Sequence, residues 1–207
     1  MQVIMFSWEY PPRIVGKLAD YVKNLAAQLV KYQTQPYVVT YHDYISGEND
    51  GPDGVKIFWV TNPVHTHIGV LTWVLTLNQE VERVAANIYY EKKKQVDLID
   101  VHDWHFIPAA TTLKKALGIP FVYSVESLED HRSHSANTPF NMAIKSIEWL
   151  GTYEAQEVIV KSAWMRNEVT RLYRTPREKV KEILPQSNDW VKEILKVYKN
   201  VAEKGVD

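Results

Sequence analysis

Gln2-Val-Ile-Met-Phe-Ser7, then Trp8-Glu-Tyr-Pro-Pro-Arg-Ile-Val-Gly-Lys17, then Leu18 to Tyr32 read as a strand, a turn and a helix. The first piece is an apolar run with the length of a buried parallel strand. In the third, Leu18, Val22, Leu25, Ala26 and Leu29 recur at i, i+4, i+7, i+8 and i+11, on one helical face. The turn carries Pro11-Pro12 and ends on a single glycine, Gly16. A loop that leaves the carboxyl end of a first strand and enters a helix is where open α/β sheets hold ligands.

The alternation continues outward from this unit. Further strands are predicted at Pro36–Tyr41, Val55–Val60, Val96–Val101, Phe121–Val125, Glu157–Lys161 and Lys179–Leu184. Helices are predicted at Leu71–Lys93, Ile107–Leu117, Pro139–Gly151, Ala163–Tyr173 and Asp189–Ala202. Strands alternating with helices predict an α/β fold: a three-layer, Rossmann-like domain with a mostly parallel sheet and helices on both faces. Ser46-Gly-Glu-Asn-Asp-Gly-Pro-Asp-Gly54 is dense in turn formers and reads as a loop. Leu128 to Thr138, polar and rich in His, Ser and Asn, reads as a long loop.

A chain of 207 residues fits one large domain with a full core. Its net charge of −1 leaves no basic surplus for nucleic acid. Lys92-Lys-Lys94 reads as a solvated helix terminus, where cations suit the dipole. There is no cysteine, which excludes disulfides and thiolate chemistry and is compatible with a reducing cytosol. No secretory leader and no membrane span are read, so a cytoplasmic location is expected.

Ser7-Trp-Glu-Tyr-Pro-Pro12, with Val15-Gly16 and Leu18-Ala19, resembles the amino-terminal signature of retaining glycosyltransferases of the two-Rossmann (GT-B) fold, the glycogen and starch synthases above all. Asp100-Val-His-Asp-Trp104 is similar to a strand end of that family. Ile147-Glu-Trp149 through Ser162 is similar to the stretch before its interdomain linker, and Asn188-Asp-Trp190 through Tyr198 to its final helix. The resemblance implies the acceptor-side half of a GT-B fold over 1–184. A helix over 188–204 packs back on it, and Pro185-Gln-Ser187 stands where a second, nucleotide-binding domain would begin. Ser187 or Asn188 can cap that helix, and Trp190, Ile194, Val197, Tyr198 and Val201 form its apolar face.

The candidate site residues follow. In the resembling enzymes two adjacent glycines bring backbone N–H groups to the donor's diphosphate; here Gly16 is followed by Lys17, whose side chain obstructs close approach but offers a point charge. In His102-Asp-Trp-His105, Asp103 either caps the next helix or holds a sugar hydroxyl, and Trp104 packs under the site. The two histidines alone lack a third metal ligand, and no metal site is assigned. Glu126 stands where the resemblance implies a histidine beside the transferred sugar; it is an acid, base or nucleophile candidate without a visible partner. Asp103 and Glu126 are therefore the catalytic candidates.

Glu129-Asp-His-Arg132 and His134 read as a solvated loop, and His65 with His67 likewise. Of seven Trp and twelve Tyr, most have core-like spacing (Trp73 with Leu77, Trp149 with Tyr153, Trp190 with Ile194) and read as packing. Trp8 and Tyr10, at the mouth of the first strand, are the candidates for stacking on a sugar.

The expectation is a reduced glycosyltransferase domain, inactive alone, that retains weak binding of an α-glucan or oligosaccharide near Trp8, Tyr10, Gly16 and Asp103. No cofactor is assigned to this chain. Two alternatives stand beside it. One is the acceptor half of a split transferase, completed by a separate nucleotide-sugar-binding chain. The other is a non-catalytic interaction protein, dimerising through the face a second domain would cover.

Overall fold

The computed structural model describes residues 1–205. The opening unit folds as its pattern dictates. Strand β1 (Gln2–Ser7) is buried from Val3 onward, and helix α1 (Lys17–Lys31) lays Leu18, Val22, Leu25, Ala26 and Leu29 against it. Each buried Leu or Val among them contributes ~1.5–3 kcal/mol relative to exposure. The chain continues through β2 (Gln35–Tyr41), β3 (Gly47–Asp50), β4 (Lys56–Val60), α2 (Val70–Glu91), β5 (Leu98–His102), α3 (Ile107–Leu117) and β6 (Phe121–Ser124). It closes with α4 (Glu129–Arg132), α5 (Pro139–Glu154), β7 (Glu157–Val160), α6 (Ala163–Tyr173), β8 (Val180–Glu182) and α7 (Trp190–Lys204).

The strands form one sheet in the order β3-β4-β2-β1-β5-β6-β7-β8, parallel throughout except for β3. One face buries Val3, Met5, Val38 and Leu98 under α1 and α7; the other buries Ile4, Phe6, Val39 and Val101 under α2, α3 and α5. This is the expected three-layer arrangement. β1 lies between β2 and β5, so the chain winds outward in both directions from it. The loops that leave β1 and β5 diverge there and open a crevice at the carboxyl edge of the sheet.

Three details differ from the sequence reading. Gly47–Asp50, within the stretch whose turn formers predict a loop, pairs antiparallel with the outer edge of β4, and Lys56 holds Asp50 in an ion pair across the two strands. Glu129–Arg132, inside the predicted long loop, forms one helical turn. Neither Ser187 nor Asn188 caps α7; Asp189 occupies that position without a side-chain bond and instead pairs with Lys192 at 2.6 Å.

Helix α5 approaches α3 closely because of Gly151. A Cβ there would lie 2.8 Å from Ile107 Cδ1 and 3.0 Å from Tyr123 Cδ1. Among the described residues no helix is long and apolar enough to cross a membrane.

Candidate functional site

The loop after β1 is organised by one buried carboxylate. Glu9 Oε2 accepts the amide hydrogens of Val15 (2.6 Å) and Gly16 (2.7 Å) at the start of α1. Those are orphan donors at the positive end of a helix, where an anion is favoured. Here the protein supplies the anion itself. Lys17 is the first helical residue and is exposed. Tyr10 turns inward: it is 2 % exposed and packs edge-on against Trp59, with centroids 6.1 Å apart. Burial pushes its hydroxyl pKa up to about 12. It offers no face to a ligand, unlike the half-buried Trp8.

Trp8 belongs to a stack. Its ring lies on His105 at 4.7 Å and 17°, and His105 lies on Trp104 at 4.3 Å and 24°. Arg13 sits 5.1 Å over the Trp8 ring, and Arg132 sits 6.0 Å from the Trp104 centroid. Burial, with Arg132 and Arg13 repelling a positive imidazole, lowers the His105 pKa to about 3, so the ring is neutral and packs as an aromatic. His105 is therefore a cleft-building residue that sequence reading considered only as half of a metal pair.

Beside the stack lies a cleft of about 460 Å³, lined among others by Trp8, Asp103, Trp104, Ser127, Arg132 and Phe140. Asp103 is 6 % exposed and has φ +65°, the left-handed region that non-glycine residues rarely adopt. It precedes the turn Trp104–Phe106 but makes no capping bond. Its Oδ2 accepts weakly from Ser127 Oγ at 3.4 Å, and Oδ1 is buried without a partner. Burial raises the Asp103 pKa to about 7, with Glu126 and Glu148 adding to the rise and Arg132 opposing it. Backbone strain and a buried carboxylate with a raised pKa in a cleft are features that cluster at functional sites.

Glu126 does have partners, contrary to the sequence reading. Lys161 forms an ion pair with Oε2, and His102 Nδ1 is 3.7 Å from Oε1. On its other side His102 Nε2 is 3.1 Å from Asp100 Oδ2. Asp100 accepts from Ser124 Oγ at 2.8 Å and from the hydroxyl of Tyr198 on α7. Burial opposes charge on His102, but Asp100 and Glu126 outweigh it and raise its pKa to about 9. Burial likewise opposes charge on Asp100 and Glu126, yet the imidazolium holds both below their usual range, with Lys161 assisting at Glu126. The result is a buried alternating row: Tyr198, Asp100⁻, His102⁺, Glu126⁻, Lys161⁺. Lys161 also lies 3.3 Å from the Tyr21 ring centroid on α1.

The loop after β6, read as solvated, is anchored. Glu148, fully buried on α5, accepts from the Glu129 amide, from Arg132 Nη2 at 2.6 Å and from Tyr173. Arg132 also donates to Glu129 Oε2 at 3.1 Å and to Ser127. Glu148 thus fixes Arg132 at the cleft wall. Its legible signal is a charge on the buried face of a helix, between Ile144 and Gly151.

The structure brings Trp8, Asp103 and Trp104 into one cleft and sets Glu126 behind it in the ionic row. It leaves Gly16 and Lys17 at the helix start and turns Tyr10 away. A family model described as Glycosyltransferase Family 4 matches residues 18–185. The chain belongs to that family. It is 36 % identical to an uncharacterised glycosyltransferase of Methanocaldococcus jannaschii, over 92 % of this chain and 47 % of that protein. It is 23 % identical to a glycogen synthase of Mycobacterium tuberculosis, over 84 % of this chain and 45 % of that one. The glycosyltransferase domain described here spans about half the length of these relatives.

Its fold is similar to that of a sucrose-phosphate synthase from Thermosynechococcus elongatus, with TM-score 0.72 and 16 % identity over 90 % of this chain and 48 % of that one. A form of that synthase designated by segments 27–220 and 406–426 aligns over 99 % of both chains, with TM-score 0.66 and 15 % identity. The architecture is one half of a GT-B glycosyltransferase.

Proposed function

We propose that this domain is the acceptor-side half of a glycosyl-transferring unit and does not transfer a sugar by itself. It binds an oligosaccharide, of α-glucan type by analogy with the glycogen synthase relative, in the cleft of Trp8, Asp103, Trp104 and Arg132. The observation that carries this reading is the cleft itself: a strained carboxylate with one oxygen unpartnered, beside an aromatic stack, at the carboxyl edge of a doubly wound sheet. Asp103 holds an acceptor hydroxyl, and the Trp8 edge of the stack meets a sugar ring.

Inactivity alone follows from what the loop has already spent. The Val15 and Gly16 amides are bonded to Glu9 and so are not free for a donor's diphosphate. Transition-state stabilisation needs a closed, water-poor cleft, and this cleft is open at its carboxyl edge. The likeness to a unit built from two separated segments supports reading α7 as the returning helix, with a nucleotide-binding domain belonging between Leu184 and Trp190 in such enzymes.

Calorimetric titration with a maltooligosaccharide, then with nucleotide-glucose donors, tests the reading. Binding of the glucan without binding of the donor is expected. Donor binding, or glucosyl transfer by the purified chain, overturns it. A second reading, completion by a separate nucleotide-sugar-binding chain, is favoured by one observation: Ile14, Val15, Ile68, Val70, Phe140 and Leu184 are exposed along the cleft side of the molecule. Restored transfer on adding such a domain is its test.

A further inference from the structure

The outer face of α5 carries no charge. From Met142 onward the exposed residues of this helix are Met142, Ser146, Trp149 and Tyr153. Its three charged side chains are all engaged within the molecule. Lys145 pairs with Asp130 at 2.9 Å, Glu148 with Arg132 at 2.6 Å, and Glu154 with Lys114 and Lys115. Helix α7 is the ordinary case: Lys192, Glu193, Lys196 and Lys199 face solvent. A surface helix normally sets a charged face opposite its buried one. Helix α5 instead sets a second uncharged stripe opposite the buried Ile144, Glu148 and Gly151.

The stripe has the spacing of a helix–helix seam. Its four residues stand at i, i+4, i+7 and i+11, in alternating steps of four and three. That is the pattern of a and d positions over two heptads. The order is also self-complementary. Suppose a two-fold axis passes between Ile147 and Glu148 and the helices run antiparallel. Met142 of one copy then meets Tyr153 of the other, and Ser146 meets Trp149. The small side chain leaves room for the large one, and a thioether meets an aromatic ring. The rings need little reordering, because Trp149 and Tyr153 already stack, with centroids 5.3 Å apart and planes 15° apart.

The area is enough for a weak dimer. Trp149 is 47 % and Tyr153 65 % exposed. At ~150–250 Å² per aromatic side chain, these two alone present roughly 200 Å². With Met142 and the half-buried Ala143 and Leu150 beside it, the seam covers on the order of 500 Å² per copy, about 1,000 Å² in all, the lower bound for a specific interface. We propose that two copies of this chain pair through antiparallel α5 helices as a weak, symmetric dimer. Phe140 stands two positions before Met142, on the other side of the helix, where it lines the cleft. Pairing therefore leaves the cleft open, and the dimer does not depend on what the cleft binds.

Sedimentation equilibrium of the whole chain tests this. A monomer–dimer equilibrium with a Kd of about 10–100 µM is expected. Trp149→Glu and Ser146→Glu each put an unpaired charge in the seam and are expected to weaken it at least about tenfold. Ser146 is exposed, so its variant keeps the monomer fold. An unchanged melting temperature at about 1 µM, where the parent is a monomer, checks that. The chain has no cysteine, so cross-linking reads the register. Oxidation of a mixture of Met142→Cys and Tyr153→Cys chains is expected to give covalent dimers, and either variant alone far fewer. Like positions lie ~16 Å apart along antiparallel helices, beyond the reach of a disulfide. A monomer up to about 500 µM overturns the proposal and leaves the stripe to a different partner. A dimer that survives Ser146→Glu overturns it too, since it pairs through another face. So does efficient cross-linking of Met142→Cys alone, which requires parallel helices.

Discussion

The Glu9 carboxylate rests on the Gly16 amide, 2.7 Å away, and on that of Val15, so the first helix begins on an internal anion. Replacing Glu9 with Ala removes the anion and leaves the amides to water, since Val15 and Gly16 are exposed. The expected cost is ~1–2 kcal/mol, in the range for loss of a helix-start acceptor. Glu9→Gln keeps an acceptor oxygen and costs about half as much. Urea denaturation of the two variants checks the order. The Ala variant is also expected to bind pyrophosphate where the parent does not; equal binding by both would show that Glu9 does not occupy the anion position.

Asp103 combines strain with an unpartnered oxygen, a combination with no structural return. A positive φ costs a non-glycine residue ~1–3 kcal/mol. Asp103→Gly is therefore expected to raise the melting temperature, because glycine adopts this backbone freely and the buried carboxyl is removed. The same variant is expected to lose oligosaccharide affinity by about tenfold, equivalent to ~1.4 kcal/mol. A variant that is stabler and binds as well as the parent would mean Asp103 has no part in recognition.

What the sequence makes legible depends on the range of the interaction. The parallel strands were legible because their apolar runs are local, and Ile107–Leu117 and Ala163–Tyr173 match residue for residue. Strand β3 was not, because Gly-Glu-Asn-Asp has no strand propensity and pairs only because β4 offers it an edge. Asp103 was legible as a site residue, but its strain was not. Glu126 looked partnerless because His102 and Lys161 reach it from β5 and from the end of β7, neighbours of β6 on either side, through the sheet register. Trp149 and Tyr153 have core spacing yet face solvent, since the buried stripe of α5 runs through Ile144, Glu148, Gly151 and Thr152 instead.

The buried row makes stability depend on pH in a defined direction. Folded His102 keeps its proton up to about pH 9, against 6.5 for an ordinary histidine. A raised pKa adds stability that is complete below pH 6.5 and is lost as pH rises through 9. The loss is on the order of 3 kcal/mol. Asp103, also raised, loses its part earlier, as pH climbs from 3.8 to about 7. Lys179 is lowered to about 8 and works in reverse, gaining stability between 8 and 10.5. Comparison with His102→Gln isolates the histidine: the parent is expected to weaken from pH 6.5 to 9 more than the variant does. Identical slopes would refute a charged His102.

Tyr198 ties the last helix to that row. Its hydroxyl is the one contact from α7 to Asp100 among the hydrogen bonds of the described residues, and both side chains are fully buried. A hydrogen bond to a buried charge contributes ~1.5–3 kcal/mol. Tyr198→Phe keeps the ring in place against α1 and the sheet, so it removes this bond with little change in packing. Asp100 retains Ser124 and His102, which limits the loss to about 2 kcal/mol. Because the bond spans 98 positions, its loss should loosen α7 before the rest. Amide hydrogen exchange is expected to speed up across Trp190–Lys204 while β1 and β5 remain protected. Uniform acceleration in all elements would mean that Tyr198 supports the global fold and does not specifically seat α7.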